Sequence, residues 1–184
     1  MKLQRSVLDR HKGFTIVELL IVIVVIGILA AITIVAFNGV QQQARDSQRK
    51  SDVKQIAKAL QLWSINTSKT FEELNTGFEG VGATGWYSAA YSSDPSAKNA
   101  LVSAGYLKDT IKDPLNGQPG SWDYMLTRCT TATDNRRVVF TRLENPPSQT
   151  VTQQLHGSGC NHSYIATFSG PSYRMNYVVI AEAR

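Results

Sequence analysis

At 184 residues the chain has room for one domain and an appendage, and its apolar residues, 42% of the total, are gathered toward one end. The net charge of +5 does not describe a nucleic-acid surface, because Lys2, Arg5, Arg10 and Lys12 against Asp9 place +3 of it before Gly13.

From Phe14 to Phe37 the only polar side chains are Thr15, Glu18 and Thr33. A helix of that length reaches about 36 Å at ~1.5 Å per residue, enough to cross a hydrocarbon core of about 30 Å. The basic flank sets its direction, with Met1 to Gly13 in the cytoplasm and everything after Phe37 outside. A secretory signal has an apolar core of about 7–15 residues and a small-x-small cleavage site. This core is longer, and "GILAAITIVAFNGV" offers no such site. A plain single-pass anchor fits the length but leaves Glu18 unexplained, since a carboxylate inside a bilayer costs about 2.5–3.5 kcal/mol on insertion scales.

The run "KGFTIVELLIVIVVIGILAA" resembles the amino-terminal segment of type IV pilins and of the pseudopilins of type II secretion and competence systems. The resemblance implies a leader, Met1 to Gly13, that a prepilin peptidase removes between Gly13 and Phe14, followed by N-methylation of Phe14. It also implies a partner for Glu18, the amino-terminal ammonium of the preceding subunit in a helical homopolymer. An opposite charge at about 4–6 Å favours the ionised carboxylate and offsets part of its desolvation. Assembly in the family uses a platform protein in the membrane and a cytoplasmic ATPase. The chain departs from the pattern at Val35, where many members carry a helix-kinking Pro, so local melting is expected nearer Gly27 or Gly39.

Helical periodicity continues past the apolar run. Val53, Ile56, Leu60 and Trp63 share one face, with Lys50, Lys54, Lys58 and Gln61 on the other. The helix is therefore expected from about Phe14 to Ile65. The lysines, with Asp46 and Asp52 nearby, read as a solvated or subunit-facing side; attraction of DNA phosphates is the functional alternative, unsupported because no aromatic residues interleave.

Thr70 and Glu73 form a candidate capping box, and "NTGFEGVGATGWYSAAYSSD" reads as a long loop. Asp94-Pro95 is expected to open a second helix that Gly105 ends. Strands are predicted at 122–128, 137–143, 163–168 and 173–181. The fold class is thus α+β, a long amino-terminal helix, half transmembrane and half soluble, on an antiparallel sheet, pilin-like in architecture. The expected divisions are a leader at 1–13, an assembly helix at 14–37, its soluble half at 38–65 and a globular domain at 66–184.

Cys129 and Cys160 lie in the exported part, where oxidation to a disulfide is expected, two buried thiols being the alternative. A second run, "GYLKDTIKDPLNGQPGSWDYM", is similar to the segment that leads into the sheet of pilins and pseudopilins. In pseudopilins that region can bind calcium, with Asp113, Asn116 and Asp123 as the candidate oxygen donors here; turn-forming and strand-edge roles are the preferred reading, and no cofactor or metal is expected. By the same resemblance, Cys129 to Cys160 would bound a loop comparable to the variable region of many pilins. No catalytic constellation can be assembled: His11 falls in the leader, and His156 and His162 are expected to face solvent beside Cys160. Asn66-Thr67-Ser68 and Asn161-His162-Ser163 fit the short, common glycosylation pattern. The expected function is a structural filament subunit, with a pseudopilin or an uncleaved membrane-tethered binding module as alternatives.

Overall fold

The structure, a computed structural model, describes residues 13–74, 85–87, 96–115, 124–130 and 134–182. Helix α1 runs Ile16–Thr67, passing through Gly27 and Gly39 without a break. The chain divides into two compact units, Met1–Gln41 and Gln42–Arg184.

In the first unit α1 is apolar on every side, and its Val, Ile and Leu side chains, among those described, stand roughly half exposed or more. A helix with no polar face belongs in lipid or in a bundle. The helix is long and apolar enough to cross a membrane.

In the second unit Val53, Ile56, Leu60 and Trp63 are buried while Lys50, Lys54 and Lys58 are exposed, the division that a 3.6-residue period dictates. A 3₁₀ turn, Phe71–Leu74, follows Thr70, whose backbone N–H donates to Glu73 at 3.0 Å. Glu72 then accepts from Arg128 and from the buried Arg137. Strand β1 is Gly85–Trp86 and helix α2 is Ala97–Ser103. The N-cap of α2 is Ser96, which accepts from the backbone N–H of Asn99; the predicted start at Asp94-Pro95 lies outside the described residues. Gly105, at φ +76°, follows the helix in the left-handed conformation that glycine adopts without strain.

Strands β2 (Met125–Arg128), β3 (Arg136–Thr141) and β4 (Tyr177–Glu182) complete a four-stranded antiparallel sheet in the order β1-β2-β3-β4. Leu126 pairs with Val139 and Val139 with Val179; Met125 pairs with Phe140 and Phe140 with Val178. The first set packs on α1 and α2, the second on two short helices, α3 (Val151–Gln154) and α4 (Ser163–Ser169). With both faces covered, β3 is buried along nearly its whole length.

The predicted strand at 163–168 is α4, a correction with a physical cause. "SYIATF" is aromatic and β-branched, which favours a strand locally, but Ile165 and Phe168, three apart on a helix, both bury against the second sheet face. The last predicted strand starts later, at Tyr177; of the first, Trp122 and Asp123 lie outside the described residues.

Cys129 and Cys160 are joined by a disulfide across a sequence separation of 31. It ties the end of β2 to the segment that enters α4. Closing a loop of that size restricts the unfolded chain by about 3–4 kcal/mol in the chain-entropy account. The double variant Cys129→Ala/Cys160→Ala is expected to lose about that much in denaturant titration of the detergent-solubilised chain, with α4 losing amide protection first.

Candidate functional site

The amino-terminal segment is arranged around Thr15. Its backbone N–H donates to Glu18 Oε2 at 2.8 Å and its hydroxyl donates to the same oxygen at 2.7 Å. The Glu18 N–H returns a bond to Thr15 Oγ1 at 3.2 Å. This reciprocal pattern is a capping box, which satisfies donors that the start of a helix leaves open. Glu18 is therefore partnered within its own chain, and Thr15 is a residue the sequence reading passes over. The T-x-x-E signature ahead of an apolar run could have found it. Among the described residues Glu18 Oε1 accepts no hydrogen bond. Gly13 is open, and Phe14 is 88% exposed, just ahead of the cap.

A second arrangement lies in the Gln42–Arg184 unit, and sequence spacing does not announce it. Arg49 is fully buried on α1, with Nε 2.7 Å from Asp113, Nη1 3.0 Å from Asp46 and 2.9 Å from Glu144. Arg45 forks onto both oxygens of Glu144 at 2.6 Å. Asp46 also accepts the backbone N–H groups of Glu144 and Asn145. One guanidinium thus gathers three segments of chain, and the planar fork is the group that can do so. Asp46 and Asp52 are buried, so they do not belong to the solvated lysine side as expected. Asp52 accepts from the Tyr124 hydroxyl at 2.6 Å.

The charges respond as these contacts require. Burial works against the Arg49 cation, but bonds from Asp113, Glu144 and Asp46 outweigh it and hold its pKa above the ordinary range. Glu144 is lowered to about 2, chiefly by its hydrogen bond from Arg45, against desolvation and with a further bond from Arg49. Burial pushes Asp52 up, the opposite direction, against the Tyr124 bond. Because the folded pKa of Glu144 lies below its usual 4.5, its contribution is complete above that value and is lost as pH falls toward about 2. Unfolding measured from pH 6 to pH 2 is expected to show stability falling across that window, with a shallower fall in Glu144→Gln.

Asp113 tests the calcium expectation directly. Both its oxygens receive Arg49, and Oδ1 also accepts the Leu115 N–H at 2.8 Å. This carboxylate is committed to a guanidinium; Asn116 and Asp123, the other two candidate donors, lie outside the described residues. His156 is exposed as expected, whereas His162 is partly buried, caps α4 and lies against the Tyr164 ring at 5.2 Å. Tyr177, far from the lysines in sequence, comes beneath Lys50 at 5.7 Å.

A helix apolar all round, opened by Gly-Phe-Thr and a capped glutamate ahead of an α+β unit, defines a class, and the family model of the prokaryotic N-terminal methylation motif matches residues 8–34. The chain is 26% identical over 125 residues to type II secretion system core protein G of Escherichia coli, covering 64% of this chain and 81% of that protein. It is 28% identical over 108 residues to the type IV major pilin protein PilE1 of Neisseria gonorrhoeae, 59% of this chain and 65% of the pilin. To the type IV major pilin protein PilA of Myxococcus xanthus it is 45% identical over 47 residues, 26% and 21% of the two chains. No solved structure matches it. In this motif and in sequence the chain is similar to type IV pilins and to type II secretion core proteins.

Proposed function

We propose that this chain is a prepilin, cleaved between Gly13 and Phe14, methylated on Phe14 and polymerised into a type IV pilus used in adhesion, motility or DNA uptake. The observation that carries the reading is the methylation motif on a helix apolar all round, with Glu18 held at its start. Glu18 Oε2 serves the chain's own cap, and Oε1 is left for the methylated ammonium of the preceding subunit. The cap stabilises the stored monomer in the membrane, and the ammonium gives the incoming subunit its register. The subunit's work is structural, not catalytic. Its partners are other copies of itself, the prepilin peptidase, and the platform and ATPase machinery.

The relatives named core protein G favour a second reading, a pseudopilin that forms a short secretion fibre. Abundance separates the two. Deleting the gene is expected to remove the filaments from sheared surface material, in which this chain is the main protein. Filaments that persist unchanged would contradict the pilus reading.

A further inference from the structure

Strand β4 lies at one edge of the sheet, so its outer side meets no other strand among the described residues. At the start of that side stands the Gln154 side chain from α3. Its amide donates to the Asn176 carbonyl at 2.7 Å and accepts the Val178 N–H at 3.2 Å. A carbonyl and an N–H two residues apart are the pair that one residue of a parallel strand would engage. We propose that Gln154 is a gate that closes the β4 edge against pairing with β4 of a second copy of this chain.

Without the gate the edge is suited to pairing. Tyr177, Val178, Val179 and Ile180 are aromatic or β-branched, and the strand holds no Pro or Lys, the residues that commonly blunt an edge. Backbone N–H groups alternate between the two sides of an antiparallel strand. Val178 turns its N–H away from β3 and toward Gln154, so Ile180 and Glu182 turn theirs outward too. Among the described residues no side chain accepts from those two. A second copy is the occupant that the strand itself selects, because each copy carries the same edge and an antiparallel contact of two β4 strands is self-complementary about a two-fold axis. Centred on Ile180, that contact sets Val178 against Glu182 of the second copy and opposes no like charges. It needs the Val178 N–H of both copies, and Gln154 holds each of them. Only Ile180 and Glu182 are left open, too little for an ordinary strand of about 5–6 residues.

The gate is fixed from its own side. Thr150 and Gln153 close a capping box at the start of α3, and Val151 and Leu155 bury against the second sheet face. The Gln154 amide also donates to the Gln149 carbonyl at 3.0 Å. These contacts hold the side chain on the edge, so a second copy must displace it before it can pair. The gate acts whether or not the chain forms a filament. In a filament, where many globular units stand close together, it keeps them from joining edge to edge out of register.

Amide hydrogen exchange and mass by light scattering, on the detergent-solubilised full chain across a concentration series, test the gate. Gln154→Ala removes the side chain, and Gln154→Met removes its hydrogen bonds while keeping its length and bulk. Undiminished protection of the β3 amides shows that each variant is folded. At low concentration the Val178 amide is expected to exchange about five- to tenfold faster than in the parent, as loss of one neutral hydrogen bond implies. At high concentration the variants are expected to reach twice the parent's mass, with the Val178, Ile180 and Glu182 amides gaining protection together. Thr152→Ala, at an exposed position of the same helix, is expected to behave as the parent does. Variants that keep the parent's mass at every concentration overturn the proposal, as does association that leaves the Ile180 and Glu182 amides exchanging freely. Protection of those amides that does not depend on concentration overturns it too, since the chain's own residues would then fill the edge. So does a parent, or Thr152→Ala, that already pairs through them.

Discussion

Replacing Arg49 by Ala is expected to cost about 3–5 kcal/mol of stability, the range for removing one partner of a buried ion pair. The side chains of Asp113, Asp46 and Glu144 are largely shielded from solvent, and Arg49 is the cation that all three share. Among the described residues Arg45 then reaches only Glu144, and Asp113 keeps a single backbone donor from Leu115. The loss arises less from a missing attraction than from carboxylates left desolvated. Arg49→Lys is expected to fall between, since one ammonium cannot replace a fork that meets three acids. Lys50→Ala, one residue on and exposed, is expected to lie within about 0.5 kcal/mol of the parent. Denaturant midpoints of the detergent-solubilised chain at constant slope measure all three. A loss under about 1 kcal/mol in Arg49→Ala would show that the cluster does not hold the three segments together.

The second large effect is on assembly. Glu18→Ala is expected to enter the membrane and be cleaved, yet to reduce sheared filaments by about a hundredfold or more, as loss of a desolvated charge pair worth on the order of 3 kcal/mol implies. Glu18→Gln separates the two uses of the side chain. A glutamine can still close the box with Thr15, as capping boxes accept either residue, but it brings no charge. It is expected to insert normally and fail to polymerise. Thr15→Val keeps the charge and removes the hydroxyl, so it is expected to assemble with a helix start weakened by about 1 kcal/mol. Normal filaments from Glu18→Gln would remove the ammonium pairing from the account and leave only the cap.

How far these features are legible in the sequence follows from the range of the interactions. The apolar run and its motif are local, so the first helix and the methylation motif can be read from consecutive residues. The box at Thr15 and Glu18 is local too, but among apolar neighbours the glutamate draws attention to its cost before its cap. The burying face of α1 follows from periodicity, whereas Asp46, Asp52 and Arg49 look like surface charges until the fold supplies partners. Those partners are distant: Asp113 stands 64 residues and Glu144 95 residues from Arg49. The same reason explains α4, since only the sheet's second face tells Ser163–Ser169 to form a helix.

Filaments sheared from cells that express the full chain, collected by sedimentation, can be digested and their amino-terminal peptide weighed by mass spectrometry. A peptide beginning at methylated Phe14 is the predicted result, since it joins processing after Gly13 to polymerisation in one sample. An intact Met1 recovered only from membranes, with the peptidase and assembly machinery present, would contradict the account and favour a tethered module.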